Sequence, residues 1–415
     1  MRLYRPVLIW LGCVSIINAT TLKEIINSTL EHNINIKAIS IENKAQQKAF
    51  EGVENIYNPT ATVGANYSQL DLDMREVQVG NTGTAFLKLG MTLYDGGKNQ
   101  AIKDQKNFEY HAGVYDSDTA KKELILQVVT LFYQIKTVGD TIKVFQDKGK
   151  TLKAQYERVQ TQYNIKMTTV DEVLKLQSEY ETNQYTIAEL KYQESSLIRN
   201  ISLLANQKIN KFDYSTLPDV KNLTLQESTE IEALKMNILA KGEAIKIASS
   251  VNKPQVKLEN SLNLYGYSDY NNNILTDLPT TQNQLMVSLT YNLYDTTSKK
   301  RIEVAQLEKL ASEERLNFRR EEEKMNFDLA KQKLNTQLLK LNSLKSAVQM
   351  GKSVYEIITI KYQNGIVDNI TYLDALSKKI FNEALYKQAL NNYEIAKANY
   401  YFNSGVDYKS VLKKW

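Results

Sequence analysis

Apolar positions in this chain recur with two different periods, and the order in which the periods alternate occurs twice. From Leu22 to about residue 56, Leu22, Ile25, Ile26, Leu30, Ile34, Ile36 and Ala38 form a broad stripe at helical spacing. Thr60 to Leu70 then alternates, with Ala61, Val63, Ala65 and Tyr67 on one side. The polar stretch Asp71 to Thr82, bounded by Gly80 and Gly83, predicts a loop. A return strand places Ala85, Leu87, Leu89, Met91 and Leu93 on one face and Phe86, Lys88, Gly90, Thr92 and Tyr94 on the other. From Lys98 to about Tyr163 the pattern is helical, and Gly113, Gly139 and Gly149 weaken it without ending it.

The second half repeats this order. A helix is predicted near 227–250, on Ile231, Leu234, Ile238, Leu239 and Ala240. Val256, Leu258, Leu262 and Leu264 mark the next strand, and Ser268 to Thr281, with Asn271-Asn272-Asn273 and Pro279, marks a loop. Leu285, Val287, Leu289, Tyr291 and Leu293 mark the return strand. A second helical run covers Ser298 to about Tyr362, with Leu334, Leu338, Leu341 and Val348 on an a/d seam interrupted by Lys345. Chain reversals fall near Asn164–Thr169 and at Asn364-Gly365, and return helices follow over about 170–206 and 368–404. The chain thus reads as an internal duplication. The first unit is 20–206, with strands at about 59–70 and 84–95 and a helix tip at about 163–169. A linker, 207–226, leads to the second unit, 227–406, with strands at about 254–267 and 282–295 and a tip at about 362–368; residues 407–415 form a tail.

Dimensions narrow the class. A helix of about 65 residues is roughly 100 Å long, too long to pack within a compact domain. Strands of about 10 to 13 residues match the roughly 25 Å apolar band of an outer-membrane barrel when tilted. The polar face, carrying Thr60, Thr62, Asn66, Ser68, Lys88, Thr92, Lys257, Glu259, Asn263, Ser288, Thr290 and Asn292, suits a wet lumen. Four strands cannot close a barrel of that size, and open edges are not tolerated in lipid, so several copies must share one barrel. Three copies would supply twelve strands, although periodicity alone does not count subunits.

Composition removes most other classes. None of the five prolines falls within 60–217 or 280–415, which leaves those spans free for long helices. Arg2 and Arg5, the apolar run Val7 to Ile17 and the small residue Ala19 predict an export signal over 1–19. Cys13, the only cysteine, lies inside it, so the mature chain has no thiol for disulfides, catalysis or metal. Trp10 stands where a lipid-anchor signal would need an aliphatic residue. His32 and His111 are the only histidines and have no second imidazole near them in sequence, so neither a metal site nor a catalytic base is expected. The net charge of +5 comes without an aromatic-laced basic cluster, which argues against nucleic acid. The chain reads as no enzyme, with no cofactor. The competing class is a non-conducting periplasmic coiled-coil scaffold or adhesin stalk.

Two motif pairs sharpen this. Leu93-Tyr94-Asp95-Gly96-Gly97 has a counterpart in Leu293-Tyr294-Asp295-Thr296-Thr297. Tyr362-Gln363-Asn364-Gly365, followed by Tyr372-Leu373-Asp374-Ala375-Leu376, has one in Tyr163-Asn164-Ile165-Lys166 and Val173-Leu174-Lys175-Leu176-Gln177. These residues resemble the TolC-like outer-membrane efflux proteins over essentially the whole mature chain. The resemblance implies a mostly α fold with a membrane β-barrel portion: a homotrimer with a twelve-stranded barrel in the outer membrane and an α-helical barrel in the periplasm. It implies a passive export duct of a tripartite efflux or type I secretion system in a Gram-negative bacterium. Its partners would be outer-membrane lipid, a periplasmic adaptor and an inner-membrane transporter. Asp374 matches an aspartate that lines the periplasmic mouth in relatives, where three copies would form a carboxylate ring attracting cations. Thr371 stands where relatives often carry a second aspartate, and Asp368 is the nearest acid. Asp171 and Glu172, at the other tip, are candidates to pair with Lys166 or with a neighbouring copy. At the junctions Asp95 suits a helix cap, Gly96 and Gly97 a tight turn, and Thr296 and Thr297 ask for a less strained turn after Asp295.

Overall fold

The computed structural model describes residues 20–70, 78–209, 211–214, 216–220, 222–271 and 273–407. The expected export signal, Cys13, the centre of the first loop and the tail beyond residue 407 lie outside the described residues. The element order is β1 (Thr20–Thr21), α1 (Leu22–His32), α2 (Ile34–Glu54), β2 (Thr60–Gln69), β3 (Asn81–Tyr94), α3 (Lys98–Asn164) and α4 (Val170–Leu204). After β4 (Phe212–Asp213) come α5 (Thr229–Ser250), β5 (Gln255–Ser268), β6 (Thr281–Thr290), α6 (Thr296–Gln363) and α7 (Asn369–Asn403). Helix, two strands, a very long helix and a 35-residue return helix therefore occur twice.

Two compact units emerge, and they do not coincide with the sequence halves. One takes Met1–Ala38, Asp118–Ser228 and Glu322–Trp415; the other takes Ile39–Ser117 and Thr229–Glu321. Each draws on both halves, because α3 and α6 contribute to both units.

The second unit holds the four-stranded antiparallel sheet, in the order β2-β3-β5-β6. Its register settles the faces, because directly opposed residues point the same way. Val63 pairs with Leu87, Leu87 with Leu262, and Leu89 with Asn260, which pairs with Leu285. Leu258 pairs with Met91 and Val287. This face is apolar apart from Asn260, Asn283 and Thr281 and a polar end rung of Gln69, Asn81 and Ser268, and it is exposed: Val63 at 83% and Leu289 at 70%. The opposite face collects Thr62, Lys88, Ser261 and Gln284 on one rung and Thr92, Lys257 and Ser288 on another. On that polar face Phe86 lies over Gly64, where an added Cβ would meet the ring at 2.5 Å, and Lys88 sits 5.1 Å from the ring centroid. β6 stops at Thr290, so Tyr291, Asn292 and Leu293, expected in the strand, lie beyond it.

In the first unit, a core around Ile25, Ile26, Val128, Phe132 and Tyr133 receives Ile209 and Leu217 from the segment 207–226. That segment is therefore a packed strap rather than a bare linker. The buried pair Glu394–Lys397 grips it at one residue: Glu394 Oε2 accepts from the Leu217 N–H at 2.7 Å, and Lys397 Nζ donates to its carbonyl at 2.9 Å. The two side chains pair at 2.9 Å. Tyr400 Oη accepts from the Leu223 N–H at 3.2 Å, and the Gln226 N–H donates to the Ser404 carbonyl at 2.9 Å.

The predicted first helix is two helices. Asn33 breaks it with an extended backbone; its Nδ2 donates to the Leu204 carbonyl at 2.8 Å and its Oδ1 accepts from the Ile36 N–H at 3.0 Å, starting α2. The glycines expected to weaken α3 do not interrupt it. Two glycines instead mark close helix approaches. Asn183 Nδ2 reaches across from α4 to the Phe145 carbonyl at 3.0 Å, occupying the space where a Cβ on Gly149 would fall. Asn382 Nδ2 reaches from α7 to the Ala347 carbonyl at 3.2 Å, in the space beside Gly351. In both hairpins the accepting carbonyl lies four residues before the glycine.

Candidate functional site

The two helix tips share one turn. Gly365, at φ +72°, ends α6 with its N–H on the Tyr362 carbonyl at 3.1 Å, while the Ile366 N–H reaches the Lys361 carbonyl at 2.8 Å. Lys166, at φ +61°, repeats both bonds: its N–H to Tyr163 at 2.9 Å, and Met167 to Gln162 at 2.8 Å. These are the nested bonds of a left-handed helix terminus. The lysine accepts the conformation that glycine takes without strain in the other tip. Counted from this turn, Thr169 corresponds to Asp368, Glu172 to Thr371 and Lys175 to Asp374, so the tips keep one register.

Asp368 is the N-cap of α7. Its Oδ1 accepts from the Thr371 N–H at 2.8 Å, and bonds with Thr371, helped by the Lys175 charge, hold its carboxyl below the usual range. Thr371 is exposed, and both its hydroxyl and its backbone N–H donate to the Asp368 carboxylate. Asp374 is exposed one turn on and pairs with Lys378 at 2.7 Å. Glu172 accepts from Thr168 Oγ1 at 2.8 Å rather than pairing with Lys166, and exposed Asp171 sits beside it in the first turn of α4.

Behind these charges four helices close on an aromatic cluster. Leu152 and Val159 of α3, Val173 and Leu176 of α4, and Tyr372, Leu373 and Leu376 of α7 form one core, with Tyr355 and Tyr362 of α6 packed on it. The Tyr362 and Tyr372 rings stack at 4.8 Å, and the Tyr355 and Tyr372 hydroxyls lie 3.1 Å apart. Arg158 faces the Tyr362 ring at 6.0 Å. Burial and then the Glu172 charge raise the Tyr362 hydroxyl, while Arg158 opposes them. Tyr362 thus ties the second hairpin to the first through its ring, which faces Arg158 of α3 and packs on the shared core. Periodicity places Tyr372 and Leu376 on a helix, but nothing in it joins α6 to α3.

Reading for charge missed the apolar caps on both turns. Ile165 and Met167 are exposed on one tip, and Ile366 and Ile370 on the other. Their signal was available, because apolar residues in a tight polar turn have no core to fill.

The strand–helix junctions differ, as the glycine and threonine pairs led us to expect. β3 runs to Tyr94, buried Asp95 follows, and Gly96 and Gly97 take φ +72° and +85° before α3. Asp95 accepts from the Gly97 and Asn99 N–H groups at 3.0 and 2.8 Å, and Lys253 donates to the Gly96 carbonyl at 3.0 Å. In the second copy, residues 291–295 form a longer irregular passage and α6 begins at Thr296 itself. Asp295 accepts from the Thr297 and Ser298 N–H groups at 2.9 and 3.1 Å and bonds Ser298 Oγ, which holds its carboxyl low. His32 Nδ1 lies 3.0 Å from the Ser28 carbonyl, and His111 packs beside the Tyr110 ring.

An exposed four-stranded sheet with one apolar and one polar face, joined to helix hairpins of this length, is the architecture of an outer-membrane channel protomer. Residues 25–205 match the family described as outer membrane efflux protein. In fold the chain is TolC-like. No curated protein matches it in sequence. In structure it is similar to the outer membrane protein VceC from Vibrio cholerae, with 14% identity, 92% of this chain and 96% of that one covered, and a TM-score of 0.82. It is equally similar to the Campylobacter jejuni CmeC outer membrane channel, with 14% identity, 95% and 89% covered, and a TM-score of 0.82. The open-state Neisseria gonorrhoeae MtrE outer membrane channel is 18% identical, with 92% and 88% covered and a TM-score of 0.77. Family and fold together support an efflux channel in the outer membrane of a Gram-negative bacterium, extending into the periplasm. No helix among the described residues is long and apolar enough to cross a membrane.

Proposed function

We propose that this protein is the passive exit duct of a tripartite efflux or type I secretion assembly, acting as a homotrimer. The observation that carries the reading is the sheet: four strands with a lipid-suited face, a water-suited face, and both edges, β2 and β6, open. Open edges in lipid leave backbone groups unsatisfied at several kcal/mol each, so β6 of one copy must pair with β2 of the next. Three copies give a twelve-stranded barrel with Thr62, Lys88, Ser261 and Gln284 on its wet side. In the periplasm, the hairpins α3–α4 and α6–α7 would line a helical conduit.

At the tips, the exposed Ile165, Met167, Ile366 and Ile370 supply apolar contact for a periplasmic adaptor, which in turn would deliver substrate from an inner-membrane transporter. Energy comes from that transporter. Asp374 stands exposed on α7, and three copies around the axis make the cation-attracting ring. Its bond to Lys378 is a surface pair worth under about 1 kcal/mol, so the carboxylate remains available to passing ions. Single-channel recording of the purified protein in planar bilayers tests the reading. A duct gives a regular unit conductance, whereas a non-conducting stalk gives none. Asp374→Ala should change conductance and reduce cation preference; unaltered selectivity would remove Asp374 from the mouth.

A further inference from the structure

The polar face of the sheet is not polar throughout. Three aromatic residues stand on it: Phe86 of β3, opposed by Gly64 and Asn263, and Tyr265 and Tyr267 of β5, opposed by Thr84 and Thr82. Their chain neighbours Leu87 and Leu264 take the lipid-suited face instead. The two tyrosine rings stack at 5.8 Å and 12°. Each is held by its hydroxyl, which donates to Gln282 Oε1 at 3.1 Å from Tyr265 and to the Pro279 carbonyl at 2.9 Å from Tyr267. Lys88, one rung from Phe86 on the same face, keeps its Nζ 5.1 Å from the Phe86 ring centroid. Within the four strands the charges on this face are Lys88, Lys257 and Glu259, two lysines against one carboxylate. From the helix ends toward the loop after Ser268 the order is Lys257, Lys88, Phe86, Tyr265 and Tyr267, charge first and rings last.

We propose that this face carries a transit site for planar aromatic anions, in which Lys257 and Lys88 draw in the charge and Phe86, Tyr265 and Tyr267 receive the ring. The proposal rests on the duct reading and names the class of solute that such a duct would favour. All five residues lie on β3 and β5, the inner strands, so pairing of β2 and β6 with neighbouring copies leaves them uncovered on the wet side. Rings on a wet wall have no core to fill, and the hydroxyls and amides that cover the rest of this face would hydrate better. A flat solute resting on them removes that apolar area from water and adds ring stacking. Charge decides which flat solute. In a shared lumen a surplus of one sign along a low-dielectric wall focuses the field, and here the surplus is positive. Lys88 also already stands over Phe86, which leaves that ring unsuited to a solute cation. Rungs on one face are about 7 Å apart. Because Lys88 leans to the Phe86 rung, about one rung along the strands separates its charge from Tyr265, close to the length of a two-ring solute.

Block of single-channel current in planar bilayers, recorded on the full-length protein with the probe on both sides, tests the site. Naphthalenesulfonate should block the parent at lower concentration than cyclohexanesulfonate, which has the same charge without the aromatic rings. It should also outdo maltohexaose, a neutral solute that lies flat on aromatic side chains. Replacing both tyrosines, Tyr265→Leu with Tyr267→Leu, should raise the half-blocking concentration of naphthalenesulfonate about tenfold. Lys88→Gln should raise it about fivefold, and Lys88→Arg should restore most of the parent value. Tyr67→Leu, on the lipid-suited face at the level between the two tyrosines, should leave the block as in the parent. Equal block of the parent by naphthalenesulfonate and cyclohexanesulfonate would overturn the proposal without recourse to any variant. A parent-like value in the double tyrosine variant or in Lys88→Gln would overturn it as well, and block by maltohexaose at or below the naphthalenesulfonate concentration would replace it with a sugar site. A parent protein with no conductance at all would instead refute the duct reading, so the two failures are distinguishable.

Discussion

At the scale of single residues, glycine and its replacements decide how the chain turns. Gly96 and Gly97 share a left-handed conformation, yet their surroundings differ. A Cβ on Gly96 would lie 2.7 Å from Lys253 Cβ and 3.0 Å from the Ser250 carbonyl, while one on Gly97 would meet nothing within 4 Å. Gly97→Ala should therefore cost only the backbone strain, about 1 kcal/mol, and Gly96→Ala roughly 2–3 kcal/mol once the clash is added. Urea unfolding of both variants beside the parent checks the difference; equal losses would show that the strand–helix junction relaxes freely. Lys166 makes the converse point. Its tip keeps the Gly365 turn with a side chain present, because the local bonds to Gln162 and Tyr163 outweigh the strain. Where the second tip has Gly365, the first has Lys166. The structure shows that the residue changed and the turn did not.

At the scale of elements, long helices stay paired by features invisible to hydrophobic periodicity. Asn183 is buried and fills the notch at Gly149, and Asn382 does the same at Gly351. In an isolated helix Gly→Ala stabilises by about 1 kcal/mol. Gly52, in α2, has open space around it and should follow that rule. Gly149→Ala should not, because the added methyl would sit 2.9 Å from Asn183 Nδ2 and break its bond to Phe145. Leaving that amide buried and unsatisfied costs about 1–3 kcal/mol, so the net effect should be a loss of up to about 2 kcal/mol. Thermal denaturation of the two alanine variants should shift in opposite directions; a gain in both would show that the Asn183 contact contributes nothing. The strands were more legible. Alternation assigns the faces of β2, β5 and most of β3 correctly, but a register shift between Thr92 and Tyr94 pairs Tyr94 with Val256, on the apolar face rather than the polar one expected for it. It overextends β6, because Tyr291 and Leu293 continue the alternation after the pairing with β5 has ended at Gln255.

At the scale of the whole molecule, the strap over 207–226 ties the sequence halves together within one unit. Its anchor is the Glu394–Lys397 pair, both members buried. Removing one partner leaves a buried charge and an unpaired Leu217 group, so Glu394→Gln or Lys397→Met should cost about 3–5 kcal/mol. Replacing both with apolar residues should cost clearly less than the sum of the two. A double-mutant cycle by denaturant unfolding, with hydrogen exchange at Leu217, measures the coupling. Additive losses would mean that the two charges act independently on the strap.

Local pattern was enough to specify the class of elements, their doubled order, the two faces of the strands and the places where helices reverse. Each of these follows from periodicity, from proline and glycine positions, or from strand length against a bilayer. Which distant segments meet became visible only in the folded chain. That Asn33 interrupts the first helix to hold the Leu204 carbonyl, that Tyr362 and Arg158 join the two tips, and that the strap is clamped at Leu217 all depend on residues far apart in the chain. Such contacts leave no periodic trace, because a single side chain reaching across space has no neighbours in sequence that must change with it.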